Sequence, residues 1–164
     1  MSIQLADIQK FFFYAMMQGY AGNAPKAKAP GMPGYKEIDV ISISESWRCL
    51  DRYCVTPLSN KSAGTTTIWY QNDPVWVMHY GGEYSEEVID FLKIALRANY
   101  EKEIFLGCRG PEYLESQDGK NLCYTNSLFE GSKTFAAFNG FESIRDLDNR
   151  LLGYHGYMGM SLLP

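Results

Sequence analysis

The sequence predicts an α+β fold: a single curved, mostly antiparallel sheet of about six or seven strands with two main helices packed on it. Three observations predict it. Thr65–Tyr70 and Val75–Tyr80 are β-branched and aromatic runs separated by Gln71–Asn72–Asp73–Pro74, which is turn chemistry, so they read as a hairpin. Two other stretches carry apolar residues at helical spacing. Further short β-like runs follow one another closely enough to pair as neighbours. At 164 residues the chain is long enough for one domain with its own core, and 1–164 is taken as one.

Residues Ser2 to about Gln18 form the first predicted helix, with Leu5, Ile8, Phe12, Ala15 and Met16 on one stripe, Ser2 as cap and Gly19 as stop. Gly19–Tyr35, rich in Gly, Pro and Ala with Lys26 and Lys28 at its middle, fits no regular element. It reads as a surface tether, or as a lid whose lysines meet an anionic ligand. Glu37–Ser44 and Trp47–Val55 read as strands. In the second, Trp47, Cys49, Asp51 and Tyr53 share one face, and Arg48, Leu50, Arg52 and Cys54 the other. Asp51 is then either a polar group in a pocket or an exposed carboxylate paired with Arg52 or Arg48.

If the central hairpin closes symmetrically, Tyr70 faces Val75, Trp69 faces Trp76 and Thr66 faces His79, which puts both indoles on one side. Neither side is plainly polar, so both are expected to be covered. Gly81–Gly82 should end the strand, Ser85 should cap a second helix, and Val88, Phe91, Leu92, Ala95, Leu96 and Asn99 form its stripe. Beyond it, Ile104–Leu106 is a strand or turn, Gly107–Pro111 a loop, and Leu122–Leu128, Thr134–Phe138 and Leu151–Met160 are strands, with Glu130–Gly131–Ser132 joining the first two.

Composition narrows the function. A net charge of −4 and a pI near 5.2 argue against a broad nucleic-acid face. The apolar stretch Phe11–Met17 is far short of a membrane span, and the start lacks a signal peptide's basic flank, so a cytoplasmic protein is expected. Cys49, Cys54, Cys108 and Cys123 include no C-x2-C pair and read as reduced thiols; no metal site and no cofactor are predicted.

Several segments together resemble a known family: Tyr20–Gly22, the Trp47–Tyr53 strand, Ala63–Gly82, Phe91–Leu96, Arg109–Pro111, Phe135–Ile144 and Gly153–Met160. The chain resembles a family of bacterial and archaeal domains of unknown function that stand alone or follow a helix-turn-helix module. It departs from that pattern at His79, where relatives carry Asn, and in its extended GYHGYMGM ending. The resemblance implies a shared α+β fold, no assigned catalytic residue, and ligand sensing by context.

The remaining signal is ring density. Trp47, Trp69, Trp76, Tyr80, Tyr154 and Tyr157 lie in strands, with Arg48, Arg52 and Arg109 among them, an arrangement suited to a planar anionic ligand such as a nucleotide. With Asp51 and the only histidines, His79 and His155, they form the candidate ligand set, in a pocket between the sheet and the loops Gly19–Tyr35 and Gly107–Pro111. Glu142, between Phe141 and Ile144, is expected to have a raised pKa through desolvation. The leading reading is a non-catalytic small-ligand-binding domain. The alternatives are a small hydrolase or transferase using His155 or His79 with Glu142 or Asp51, and a protein-interaction module, with a homodimer among its forms.

Overall fold

The computed structural model describes residues 3–164. Helix α1 spans Leu5–Gln18. The expected cap Ser2 lies outside the described residues; Gln4 is the cap, its backbone N–H donating to the Asp7 carboxylate at 3.0 Å. Strands β1 (Ala27–Lys28), β2 (Tyr35–Ile41), β3 (Trp47–Val55), β4 (Lys61–Tyr70) and β5 (Asp73–Tyr84) form a meander. A 3-10 turn, Glu86–Val88, leads into α2 (Ile89–Tyr100). Strands β6 (Tyr113–Glu115), β7 (Leu122–Thr134), β8 (Ala137–Asp146) and β9 (Leu151–Ser161) complete the chain.

All nine strands belong to one open antiparallel sheet, in the order β1-β2-β3-β4-β5-β9-β8-β7-β6. The expected six or seven strands were too few. The shortfall lies in the short pairs Ala27–Lys28 and Tyr113–Glu115 and in the FNGFESI segment, where Glu142 sits mid-strand. The second meander returns toward the first, so β9 pairs with β5 and the last strand joins the two halves.

Helix α2 bears out its stripe: Val88, Phe91, Leu92, Ala95, Leu96 and Asn99 are all buried. It packs with α1 on one side of the sheet, where Phe12 meets Tyr100 edge-on at 5.9 Å and Trp76 at 5.2 Å. Trp76 stacks on Phe135 at 5.1 Å and donates its indole N–H to the Phe135 carbonyl, 3.2 Å away. This ring cluster is the core of the helix-covered side.

The hairpin exists, but its register differs from the symmetrical one. Gln71 takes a positive φ of 56° in a two-residue turn, so Tyr70 pairs with Asp73 and Trp69 with Pro74. Val75 is then bulged, and Ile68 pairs with Trp76 and Thr65 with His79. Because side chains alternate with period two, the one-residue slip separates the indoles: Trp76 is fully buried under the helices, while Trp69 shares the other face with Arg48, whose guanidinium lies 5.7 Å from its ring. That other face carries the exposed His79, Met158 and Met160, and no helix among the described residues covers it. Of the expected two-sided covering, the helices supply one side only. Two further boundaries also move. Strand β5 runs through Gly81–Gly82 to Tyr84, and β7 runs through Glu130–Gly131 with an irregular register, so that Phe135–Ala136 forms the turn.

Candidate functional site

Strand β3 alternates as its sequence implied, and its helix-facing row, Cys49, Asp51 and Tyr53, is buried. Next to that row stand Thr66 on β4, Tyr80 and Tyr84 on β5, and His155 on β9. Glycines keep the space above these side chains open. A Cβ on Gly153 would stand 2.1 Å from the Tyr84 ring, which lies where that side chain would be. From the far side comes Arg109, delivered by a sharp bend in which Gly107 (φ 63°) and Cys108 (φ 58°) are both left-handed. The bend is fastened to the core: Tyr100 donates to the Cys108 carbonyl (2.7 Å), and Asn99 to the Arg109 carbonyl (3.0 Å).

Between these groups lies a cavity of about 300 Å³. Asp51, Tyr53, Tyr80, Tyr84, Arg109 and His155 line its depth, α2 supplies Leu92 and Leu96, and Tyr20 and Lys26 of the Gly19–Tyr35 segment close it from above. It thus lies between the sheet and the two loops singled out in the sequence.

Two buried networks meet in it. In the first, Asp51 Oδ1 accepts from Tyr80 (2.7 Å) and from Thr66 (3.0 Å), leaving Oδ2 without a protein donor. Burial raises the Asp51 pKa, against those two hydrogen bonds. In the second, Arg109 donates through Nη2 to Glu142 Oε1, and Tyr124 donates to Oε2 at 2.6 Å. Burial works to raise the Glu142 pKa, but the Arg109 charge and hydrogen bond, with His155 and the Tyr124 hydrogen bond, together outweigh it and the net shift is downward, the reverse of the expected direction. His155 Nδ1 sits 3.4 Å from Arg109 Nη2 and 3.8 Å from Glu142 Oε1, and its Nε2 lies 3.5 Å from the Ser62 hydroxyl. Burial and the Arg109 charge lower its pKa to about 4, so the ring is neutral at pH 7.

Four buried polar side-chain atoms among the described residues have no hydrogen-bond partner: Tyr53 Oη, Tyr84 Oη, Arg109 Nε and Asn139 Oδ1. The first three belong to residues lining this cavity. Burial first, then the nearby Glu142 carboxylate, pushes the Tyr84 pKa well up; the hydroxyl is near enough to that carboxylate to feel it as a hydrogen-bond acceptor, but it does not reach hydrogen-bond geometry.

Of the candidates named from sequence, the cavity gathers Asp51, Tyr80, Arg109 and His155. The others lie elsewhere. Trp47 packs against Tyr70 and Phe11 beside α1, and Trp76 is core. Tyr157 hydrogen-bonds Asn126 under the second meander. Trp69, His79 and Tyr154 are on the uncovered face, with His79 3.0 Å from the Thr65 hydroxyl and Tyr154 stacked on Phe141. Arg48 forms a bidentate pair with Asp39 (both contacts 2.9 Å), and Arg52 pairs with Glu37 at 2.9 Å, so neither takes Asp51 as partner. Tyr84 is not among the sequence candidates, because Gly81–Gly82 reads in sequence as the strand's end; the alternation Tyr80, Gly82, Tyr84 is the available signal. All four cysteines are free, and among the described residues no helix is long and apolar enough to cross a membrane.

The architecture and the site together define an α+β domain with one open antiparallel sheet and, under its helices, a cavity that holds buried polar side chains. Residues 58–160, more than half of the chain, match the family described as Domain of unknown function (DUF5680), and the chain belongs to that family. The match takes in Tyr80, Tyr84, Arg109, Tyr124, Glu142 and His155, while Tyr20, Lys26, Asp51 and Tyr53 precede it. No curated protein and no solved structure matches the chain.

Proposed function

We propose that the protein is a non-catalytic domain that binds one small, planar, nucleotide-like molecule in the cavity beneath α2. The observation that carries this reading is that three residues with an orphaned buried donor, Tyr53 (Oη), Tyr84 (Oη) and Arg109 (Nε), all line one cavity. A buried polar group without a partner costs about 1–3 kcal/mol, and three such costs in one place are relieved together by a ligand bearing acceptors. The volume, about 300 Å³, is at the small end of ligand pockets and suits one ring system with a short substituent.

The hydrolase or transferase reading has one supporting contact, His155 beside Glu142 at 3.8 Å. That carboxylate is already taken by Arg109 and Tyr124, and an imidazole with its pKa lowered to about 4 is a weak base at neutral pH. The interaction-module reading draws on the exposed Phe141, Met158 and Met160 of the uncovered face. It is tested by the oligomeric state in solution.

Thermal unfolding against a panel of nucleotides and other anionic metabolites tests the binding reading. A ligand at a hundredfold excess over its Kd stabilises by about 2.7 kcal/mol, roughly 5–10 °C for a chain of this size. A flat response across the panel contradicts it.

A further inference from the structure

We propose that the cavity takes its ligand in one orientation, with a neutral cyclic amide or imide edge inward against Asp51, Tyr53, Tyr84 and Arg109, and an acidic group, a phosphate or carboxylate, outward at Lys26 and Lys36. This rests on the ligand-binding reading and adds the ligand's polarity to it.

The inner end is rich in donors but has no charge to spare. Arg109 gives its Nη2 to Glu142, so its charge is already matched, while its Nε–H and its Nη1 hydrogens are left to offer. The hydroxyls of Tyr53 and Tyr84 are neutral donors, each held protonated by burial, which pushes the Tyr53 pKa up to about 12. Asp51 Oδ2, which has no donor among the described residues, is a free carboxylate acceptor. An anion placed here would meet Glu142 and Asp51 with no cation of its own. Carbonyl oxygens beside one N–H, the edge of a cyclic amide or imide, match an end rich in neutral hydroxyl and guanidinium N–H donors with Asp51 Oδ2 as acceptor, without adding charge.

The outer end has the opposite character. Lys26 and Lys36, both exposed, line the rim, against one carboxylate, Glu86. Lys26 and Lys93 each hold an ammonium 5.3 Å from the centre of the Tyr20 ring, so two cations share one aromatic ring. Lys93 is tied to the Asn23 side-chain oxygen at 2.6 Å, which fixes it near the rim. Burial, then the charges of Lys93 and Lys36, lowers the Lys26 pKa, as expected where cations gather without enough anions. An acidic group arriving there relieves that repulsion.

The probes are uridine, guanosine, their 5′-monophosphates and inorganic phosphate, titrated calorimetrically into the wild type, the Lys26→Gln/Lys36→Gln double variant, and Tyr53→Phe. The expected result has three parts. In the wild type at least one monophosphate binds about tenfold or more tighter than its nucleoside. The lysine variant loses that advantage but keeps the nucleoside affinity, and Tyr53→Phe weakens nucleoside and monophosphate by the same factor. Equal affinity of nucleoside and monophosphate overturns the orientation, as does a monophosphate effect that inorganic phosphate alone reproduces. Silence from all of these probes, while another molecule of the metabolite panel raises the melting temperature, overturns the orientation and leaves the binding reading standing. Silence from every molecule in both experiments overturns the two together.

Discussion

Replacing Tyr84 by phenylalanine should make the ligand-free protein more stable. The Tyr84 ring contributes its edge-on contact with His155, 4.8 Å between centroids, and phenylalanine keeps that contact. What it removes is a buried hydroxyl that has no partner. Leaving such a group unsatisfied costs about 1–3 kcal/mol. A small void and some water access offset part of that, so a gain of about 1 kcal/mol is expected, or roughly 2–4 °C in Tm. Tyr124→Phe is the internal control, because that hydroxyl donates to Glu142 at 2.6 Å and accepts from the Gly110 N–H at 2.9 Å. Its loss strands a buried carboxylate oxygen and a buried N–H and should cost about 1.5–3 kcal/mol. Urea unfolding monitored by tryptophan fluorescence measures both. Should Tyr84→Phe destabilise as much as Tyr124→Phe, the hydroxyl is satisfied within the protein and the cavity does not wait for a ligand.

Glu142→Gln leaves the Arg109 guanidinium buried without its counter-charge and should cost about 3–5 kcal/mol in chemical denaturation, whereas Arg109→Met with Glu142→Leu together should recover most of it. The pH dependence follows from His155, whose folded pKa of about 4 lies below the ordinary 6.5, so the fold favours the neutral ring. Stability attributable to this group is complete above pH 6.5 and is lost as pH falls toward 4, by roughly 3 kcal/mol. The stability difference between wild type and His155→Gln should therefore shrink or reverse across that window, and an unchanged difference contradicts the burial of a neutral imidazole. Trp76→Ala should cost about 3–5 kcal/mol and Trp69→Ala less than about 1.5, since the bulge at Val75 puts only the first in the core. Equal costs would restore the symmetrical register.

Elements governed by local pattern were legible in the sequence. The α2 stripe and the limits of β3 followed from periodicity, and β3's alternation already put Asp51 and Tyr53 on one face. Features governed by pairing were not. The one-residue slip at Val75 depends on how Gln71–Asn72 turns and on Pro74, and period two then carries that slip through both strands to reassign the indoles. The partners of Arg48 and Arg52 lie on β2, across a strand pair whose register sequence alone leaves open. Glu142 drew notice as a carboxylate between apolar residues, but the sign of its shift depended on Arg109, thirty-three residues away in the chain. Within the site, Asp51, Tyr80, Arg109 and His155 were found as aromatic, charged or histidine residues in strands and glycine-rich loops. Tyr84 is not legible because Gly81–Gly82 signals a strand end, whereas Gly82 instead serves the close approach of β5 and β9.

The central claim, that the cavity beneath α2 holds a small molecule, is tested most directly by native mass spectrometry of the protein purified without denaturation. The account predicts a species heavier than the bare chain by one small molecule, shed on collisional activation and absent from a Tyr53→Phe/Tyr84→Phe variant that remains folded. A bare-chain mass for the wild type, unchanged after incubation with the metabolite panel, would contradict it.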